Sequence, residues 1–226
     1  MKICAFSDTH GQYDFKVEPC DIVLICGDIV PLDIQMLDTF SEEWFKIFFI
    51  PWCNNLPCEK VVFIAGNHDF FLKNHPDRMR ELLKGQDKII YLECETYEYQ
   101  RKVIYGTPIC KRFGSWAFME GQEEQKERYQ RHLEAIGKID IIMSHDCPYG
   151  ISDVLLQEDC RWADGSHIGN KALRWFVDEA KPEFVFEGHL HSCEHGKTMH
   201  GNTAVYNVSL LNEDYKMVYK PLYIEI

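Results

Sequence analysis

Five short motifs built from metal-binding side chains follow one another along this chain, nearly every one directly after an apolar run. They are Asp8-Thr9-His10, Gly27-Asp28, Gly66-Asn67-His68-Asp69, Ser144-His145-Asp146 and Gly188-His189-Leu190-His191. In a layered α/β fold the ends of strands converge on one rim, so donors far apart in sequence can share one cavity. The spacing therefore predicts an α/β chain whose strand tips carry one site rich in carboxylate and imidazole.

The apolar runs support that reading. Lys2 to Phe6, Ile22 to Cys26, Val61 to Ala65, Ile139 to Met143 and Phe184 to Glu187 are short, rich in β-branched and apolar residues, and end at polar or glycine punctuation, as buried strands do. Between them, helical spacing over Gln35 to Ile50 predicts a helix stopping before Pro51. Further helices are expected over Pro76 to Lys84, Glu120 to Gly137 and Lys171 to Ala180, with glycine or proline as stops. Lys88 to Leu92, Thr96 to Tyr99 and Lys102 to Tyr105 suggest an antiparallel part of a sheet. Lys197 to Met199, Ala204 to Val208 and Lys216 to Ile226 read as hairpin strands closing the fold.

At 226 residues and 26.6 kDa the simplest expectation is one domain over 1–226. The formal charge of −12 repels polyanions, which makes long nucleic acid a poor partner. Two divalent cations would concentrate positive charge at one point, so a small phosphorylated substrate still fits. The ten cysteines are scattered without close CxxC pairing and are expected to be reduced thiols. No signal-length apolar segment opens the sequence, and Trp44 to Trp52 is far shorter than the ~20 residues of a membrane span. A cytoplasmic protein without a membrane segment is the expectation.

Each motif has its own chemistry. Asp8 and His10 differ by two positions and share a face if the chain is extended, so both can reach one ion. Asp28, one glycine beyond its strand, is placed to bridge two ions. Asn67 offers a neutral carbonyl that limits the negative charge around the cations. His68, its neighbour, must point elsewhere, which suits a proton donor to the leaving group, with Asp69 or another carboxylate orienting its ring. His145, His189 and His191 add imidazoles at two further strand ends. His75, His132, His167, His195 and His200 are read as ordinary hydrogen-bonded histidines.

In this order the residues resemble the calcineurin-like metallophosphoesterase superfamily, whose pattern is D-x-H, G-D, G-N-H-[DE], a histidine after a strand, and G-H-x-H. The resemblance spans residues 8 to 191. It implies a four-layer α-β-β-α sandwich of two mixed β-sheets flanked by helices. It also implies a first metal held by Asp8, His10, Asp28 and His191, a second held by Asp28, Asn67, His145 and His189, and His68 as acid. Asn207-Val208-Ser209 with Tyr215 and Pro221, and Gly106-Thr107-Pro108 followed by Phe113, Trp116 and Phe118, are similar to a small subgroup of metallophosphoesterase-domain-containing phosphodiesterases. Gly27-Asp28-Ile29-Val30-Pro31 lacks the Asp-Arg-Gly extension of phosphoprotein phosphatases, and with it the arginine that would clamp a phosphoryl group.

The expected chemistry is hydrolysis of a phosphodiester in a small substrate, a cyclic nucleotide among the candidates, by a hydroxide bridging two cations. The motif donors are N and O atoms, which suits manganese, iron, zinc or magnesium. Phe113, Trp116 and Tyr149, with Trp162, are candidates for stacking the substrate. A phosphomonoesterase or nuclease with the same centre is the alternative, and a non-catalytic metal-binding scaffold is the alternative of another class.

Overall fold

The computed structural model describes residues 1–156 and 164–226, so Cys160 and Trp162 lie outside the described residues. Strands β1 (Lys2–Phe6), β2 (Ile22–Cys26), β3 (Lys60–Ile64) and β4 (Ile89–Tyr91) run parallel, and the C-terminal β13 (Leu222–Glu225) joins antiparallel to β1. A second sheet contains β5 (Glu95–Tyr99), β6 (Lys102–Thr107), β9 (Ile141–Ser144), β10 (Phe184–Glu187), β11 (Gly196–His200) and β12 (Thr203–Asn207). Its order is β11-β12-β10-β9-β6-β5, with four parallel strands in the centre and an antiparallel strand at each edge. A two-stranded ribbon, β7 (Cys110–Lys111) and β8 (Met119–Glu120), stands beside them.

Alternation along each central strand divides the apolar residues between two faces. Ile3, Ala5, Leu24, Val62 and Ile64 of the first sheet meet Ile104, Ile141, Met143 and Phe186 of the second and form the layer between the sheets. Cys4, Phe6, Val23, Val61 and Phe63 face outward. There they meet α1 (Asp38–Trp44), α2 (Ile50–Asn55), α3 (Phe70–Asn74) and α4 (Pro76–Leu82). Tyr105, Ile142, Val185 and Val205 face outward from the other sheet, against α5 (Gln122–Ile136) and α6 (Lys171–Ala180). The four-layer α-β-β-α sandwich follows directly, because strands apolar on both faces need cover on both.

Three expectations are corrected. Pro51 does not end the helix. A π-helical turn over Phe45–Phe49, with Ile50 N–H bonded to Phe45 O, leads without a break into α2 with Pro51 at its start, and the widened turn is where a residue without an N–H is accommodated. The strand expected at Lys88 to Leu92 is not antiparallel to its successors; β4 pairs in parallel with β3 in the first sheet, while β5 and β6 form the hairpin. Finally, β11 and β12 form a hairpin, but β13 crosses to the first sheet and completes its edge against β1.

Candidate active site

The carboxyl ends of β1, β2, β3, β6, β9, β10 and β12 lie along one rim, where the parallel ladders continue into loops. Asp8 N bonds to Gly27 O at 3.0 Å, His10 N to Asp28 O at 3.0 Å, His145 N to Thr107 O at 3.1 Å and Gly188 N to His145 O at 3.2 Å. The two sheets are tied together at the same place, since Ser7 N donates to Val208 O and Leu210 N to Ser7 O. Backbone pairing across this seam brings motifs from both halves of the chain to one cleft.

All seven candidate metal ligands meet there. Donor atoms of Asp8, His10 and His191 lie within 4.8 Å of one another, as do those of Asp8, Asp28 and His145. Asp28 Oδ2 is 3.6 Å from His10 Nε2 and 3.3 Å from His145 Nε2, so it faces both groups. Asn67 Oδ1 lies 3.0 Å from His145 Nε2, and the His145 and His189 rings are 5.2 Å apart. His145 Nδ1 donates to Cys26 O at 2.8 Å and His191 Nδ1 to Asn212 O at 3.1 Å, which leaves each Nε2 turned into the cleft as an available donor to a cation. A third group, Cys110, His145 and His189, also has its donor atoms within 4.8 Å.

The local backbone is shaped for this purpose. Asp8, His10, Asp28 and His189 all have positive φ, between 43° and 69°, a conformation that costs a residue with a Cβ roughly 1–2 kcal/mol. Asp8 and His10 thus meet through a left-handed turn, and not through the extended geometry that their spacing suggested. Three motif glycines, Gly27, Gly66 and Gly188, are there for space. A Cβ on Gly27 would sit 2.6 Å from His145 Nδ1, and one on Gly66 would collide with Asp28 Oδ1.

Electrostatics divide the histidines into two pairs. Burial pushes the Asp8 carboxyl up, but the hydrogen bond and charge of His191 hold it well below the usual carboxylate range. Asp28 is likewise held low against burial, by His145, His68 and His10. Burial opposes protonation of His145 and His191, yet Asp28 and Asp8 raise them to about 10 and about 8. His10 and His189 are lowered to about 4, chiefly by burial. A decisive detail is that both ring nitrogens of buried His10 have no hydrogen-bond partner among the described residues. A buried imidazole left in this state is costly, and a cation beside Asp8 and His191 would take up one of its two nitrogens. The donor set fits divalent metal ions.

The cleft has a volume of about 220 Å³ and is lined by His10, Asp28, Asn67, His68, Phe113, Trp116, His189, His191, Glu213 and Tyr215. His68 N–H donates to Asp28 Oδ1 at 2.8 Å, and its ring projects beside the donors with Nε2 3.9 Å from Asp28 Oδ2. Trp116 packs on that ring with centroids 4.5 Å apart, and Phe113 lies 5.4 Å from the His189 ring.

Two site expectations need correction. Asp69 does not orient His68. Its buried carboxylate accepts hydrogen bonds from Gly66 N, Ile29 N and Val30 N at 2.7 to 3.3 Å, because these loop N–H groups have no strand partner. Gln35 Oε1 takes the expected place and accepts from His68 Nδ1. Tyr149 does not line the cleft; its backbone is tied to Asn170 and its ring packs against His167 and beneath Lys171 Nζ. Sequence reasoning missed Gln35, Cys110 and Glu213, and quoted Ser209 and Tyr215 only for a family likeness. Ser209 Oγ donates to Asp8 Oδ2 at 2.8 Å, and the Tyr215 ring meets those of His10 and His191. The histidines read as ordinary are so: His75, His132, His167 and His200 bond to Asp38, Tyr105, Asp153 and Asp178, and His195 to the carbonyl of His191.

The model of the calcineurin-like phosphoesterase family matches residues 1–193. The chain belongs to that family. Membership implies hydrolysis of phosphoric esters with divalent metal ions. A Caenorhabditis elegans UPF0046 protein is 26% identical over 96% of this chain, which spans 58% of that relative. The human metallophosphoesterase domain-containing protein 1 is 24% identical over 97% of this chain and 69% of its own length. Among solved structures, TT1561 of Thermus thermophilus covers 91% of this chain and 88% of its own, with a TM-score of 0.61 at 12% identity. A second superposes with a TM-score of 0.67 at 14% identity over 99% of this chain and 98% of its own. These likenesses carry the fold.

Proposed function

We propose that this calcineurin-like phosphoesterase uses two divalent cations to cleave phosphodiester bonds in small substrates, with nucleotides, cyclic nucleotides among them, as the preferred class. The observation that carries this reading is Asp28 Oδ2, which faces His10 on one side and His145 on the other. A carboxylate so placed could serve two cations, of which Asp8, His10 and His191 would hold one and Asn67, His145 and His189 the other. Bound there, the cations would activate water and take up charge on the phosphoryl oxygens.

The chain's own residues do the rest. His68 turns Nε2 toward the cleft, because Nδ1–H is donated to Gln35 and the ring is clamped by Trp116, and in its imidazolium form it would pass the Nε2 proton to the departing oxygen. Phe113 and Trp116 offer two ring faces at the mouth of the cleft for a flat leaving group. An acidic surface and a cleft of about 220 Å³ favour a small substrate over a polymer. No helix of the described residues is long and apolar enough to cross a membrane, and we place the protein in the cytoplasm.

Turnover of bis-aryl phosphate, mono-aryl phosphate, cyclic nucleotides and single-stranded DNA should be compared with Mn²⁺, Fe²⁺, Zn²⁺ or Mg²⁺ and with a chelator. Faster cleavage of the diester than of the monoester or DNA, abolished by chelation, is expected. Metal-loaded protein inert toward every substrate would revive the scaffold reading.

A further inference from the structure

The motifs occupy five parallel strand ends, and a sixth, beyond β6, carries Cys110. This residue is fully buried, and its sulfur lies within 4.8 Å of a ring nitrogen of His145 and of His189. The sulfur's contact with Pro108 O is long, at 3.8 Å, and a thiol is a weak donor. The backbone around it is held firmly. Cys110 N donates to Phe118 O at 3.0 Å, its carbonyl accepts from Gln125 Nε2 at 2.9 Å, and Lys111 N donates to Asp146 Oδ2 at 2.8 Å. Gln125 is itself buried and fixed by Asn170 Nδ2 at 2.7 Å. A network that joins the two-stranded ribbon to α5 and to the N-terminus of α6 thus presents a sulfur to the two histidines.

We propose that Cys110 is a thiolate ligand of the second metal position, beside His145 and His189, and that this position is built for zinc or iron(II). The assignment rests on the two-metal reading above. Binding exchanges the S–H proton for the cation, the proton passing to solvent. Thiolate and imidazole together favour zinc or iron over magnesium or manganese, which prefer oxygen donors. The group at the first position, Asp8, His10 and His191, offers only oxygen and nitrogen. The two positions therefore differ in softness, and a mixed-metal centre follows.

Cobalt(II) is the probe. Protein loaded with two cobalt ions is expected to show a near-ultraviolet sulfur-to-cobalt charge-transfer band. Cys110→Ser should keep both ions and lose the band, whereas Cys58→Ser, two residues before β3 and so at the opposite end of that strand from the cleft, should keep it. The preference for Zn²⁺ over Mn²⁺ at the second position should fall at least ~10-fold in Cys110→Ser. X-ray absorption at the zinc edge of the unaltered protein needs no variant and should show a sulfur at about 2.3 Å. Two bound ions with neither the band nor a sulfur scatterer would overturn the thiolate ligand and leave the two-metal reading intact. Failure to bind either metal would overturn both.

Discussion

Gln35 Oε1 accepts the Nδ1 proton of His68, although the two residues stand on different loops and 33 positions apart. This contact fixes which ring nitrogen faces the cleft, so Gln35 is a positioning residue for the proposed acid. Gln35→Leu should lower kcat about 10-fold with little change in KM, as a fraction of the ~10² to 10⁴ that general acid catalysis contributes. The loss should grow with the basicity of the leaving group: small for an aryl diester, large for an alkyl one. An equal loss on both would mean that Gln35 acts only through structure. His68→Ala should give the same pattern, at greater depth, with metal content unchanged.

Asp28→Asn removes the charge that faces both ligand groups while keeping the shape of the side chain. Turnover should fall by orders of magnitude, and bound metal, measured by atomic emission, should drop below two per chain. Full activity on an aryl phosphodiester would remove the basis of the scheme.

Gly66→Ala tests the crowding around that same carboxylate. The added methyl group collides with Asp28 Oδ1 and sits 2.6 Å from His145 Cε1, so the variant should fold and bind metal poorly. Circular dichroism should stay unchanged while metal affinity falls ~10-fold or more. Unaltered affinity would show that the loop yields at no cost.

Most of this architecture was legible because central parallel strands are apolar on both faces and stop abruptly where ligands begin. Ile22 to Cys26 followed by Gly27-Asp28 is one such case, with all five strand residues buried. What escaped notice depends on approach from outside the motifs. Gln35 precedes a helix, Cys110 looks like any core cysteine, and Glu213 and Tyr215 arrive on a loop after β12. No local period marks such residues. Tyr149 shows the reverse problem, since an aromatic side chain reads alike whether it faces a cleft or a neighbouring lysine. Pro51 misled because its effect depends on the widened turn before it, and β13 because partner choice across sheets leaves no local trace.

The protonation pattern predicts how metal binding depends on pH. His145 and His191 are raised to about 10 and about 8, above the ordinary imidazole value near ~6.5. In the metal-free protein both are protonated at pH 7 and paired with Asp28 and Asp8. A cation needs their lone pairs, so binding at pH 7 should release about two protons from them, besides the one that the proposed Cys110 thiolate gives up, and affinity should rise through pH 8 toward 10. For the metal-free fold, the raised pKa values stabilise fully below pH ~6.5, and that contribution is lost as pH rises through the two folded values. Titration calorimetry in buffers of different ionisation enthalpy measures the protons; a heat independent of buffer would contradict the assignment.

A last prediction concerns the scaffold behind the site. Asn170 is fully buried and caps α6, its Oδ1 accepting from Ala172 N at 3.0 Å and Leu173 N at 3.1 Å. Its Nδ2 donates to Gln125 Oε1 and to Asp146 Oδ2, so the same amide joins the helix, the residue that holds the Cys110 carbonyl, and the carboxylate after His145. Asn170→Ala loses a cap worth about 1 kcal/mol and leaves buried Gln125 Oε1 unpaired at about 1–3 kcal/mol, while Asp146 Oδ2 keeps its bond from Lys111 N. A loss of about 2–4 kcal/mol in denaturant unfolding is expected. Asn170→Asp keeps the cap but replaces two donated bonds with repulsion against Asp146, so it should cost at least as much. If Asn170→Asp were neutral, the helix cap alone would account for the residue, and the tie between α6 and the site would be of no consequence.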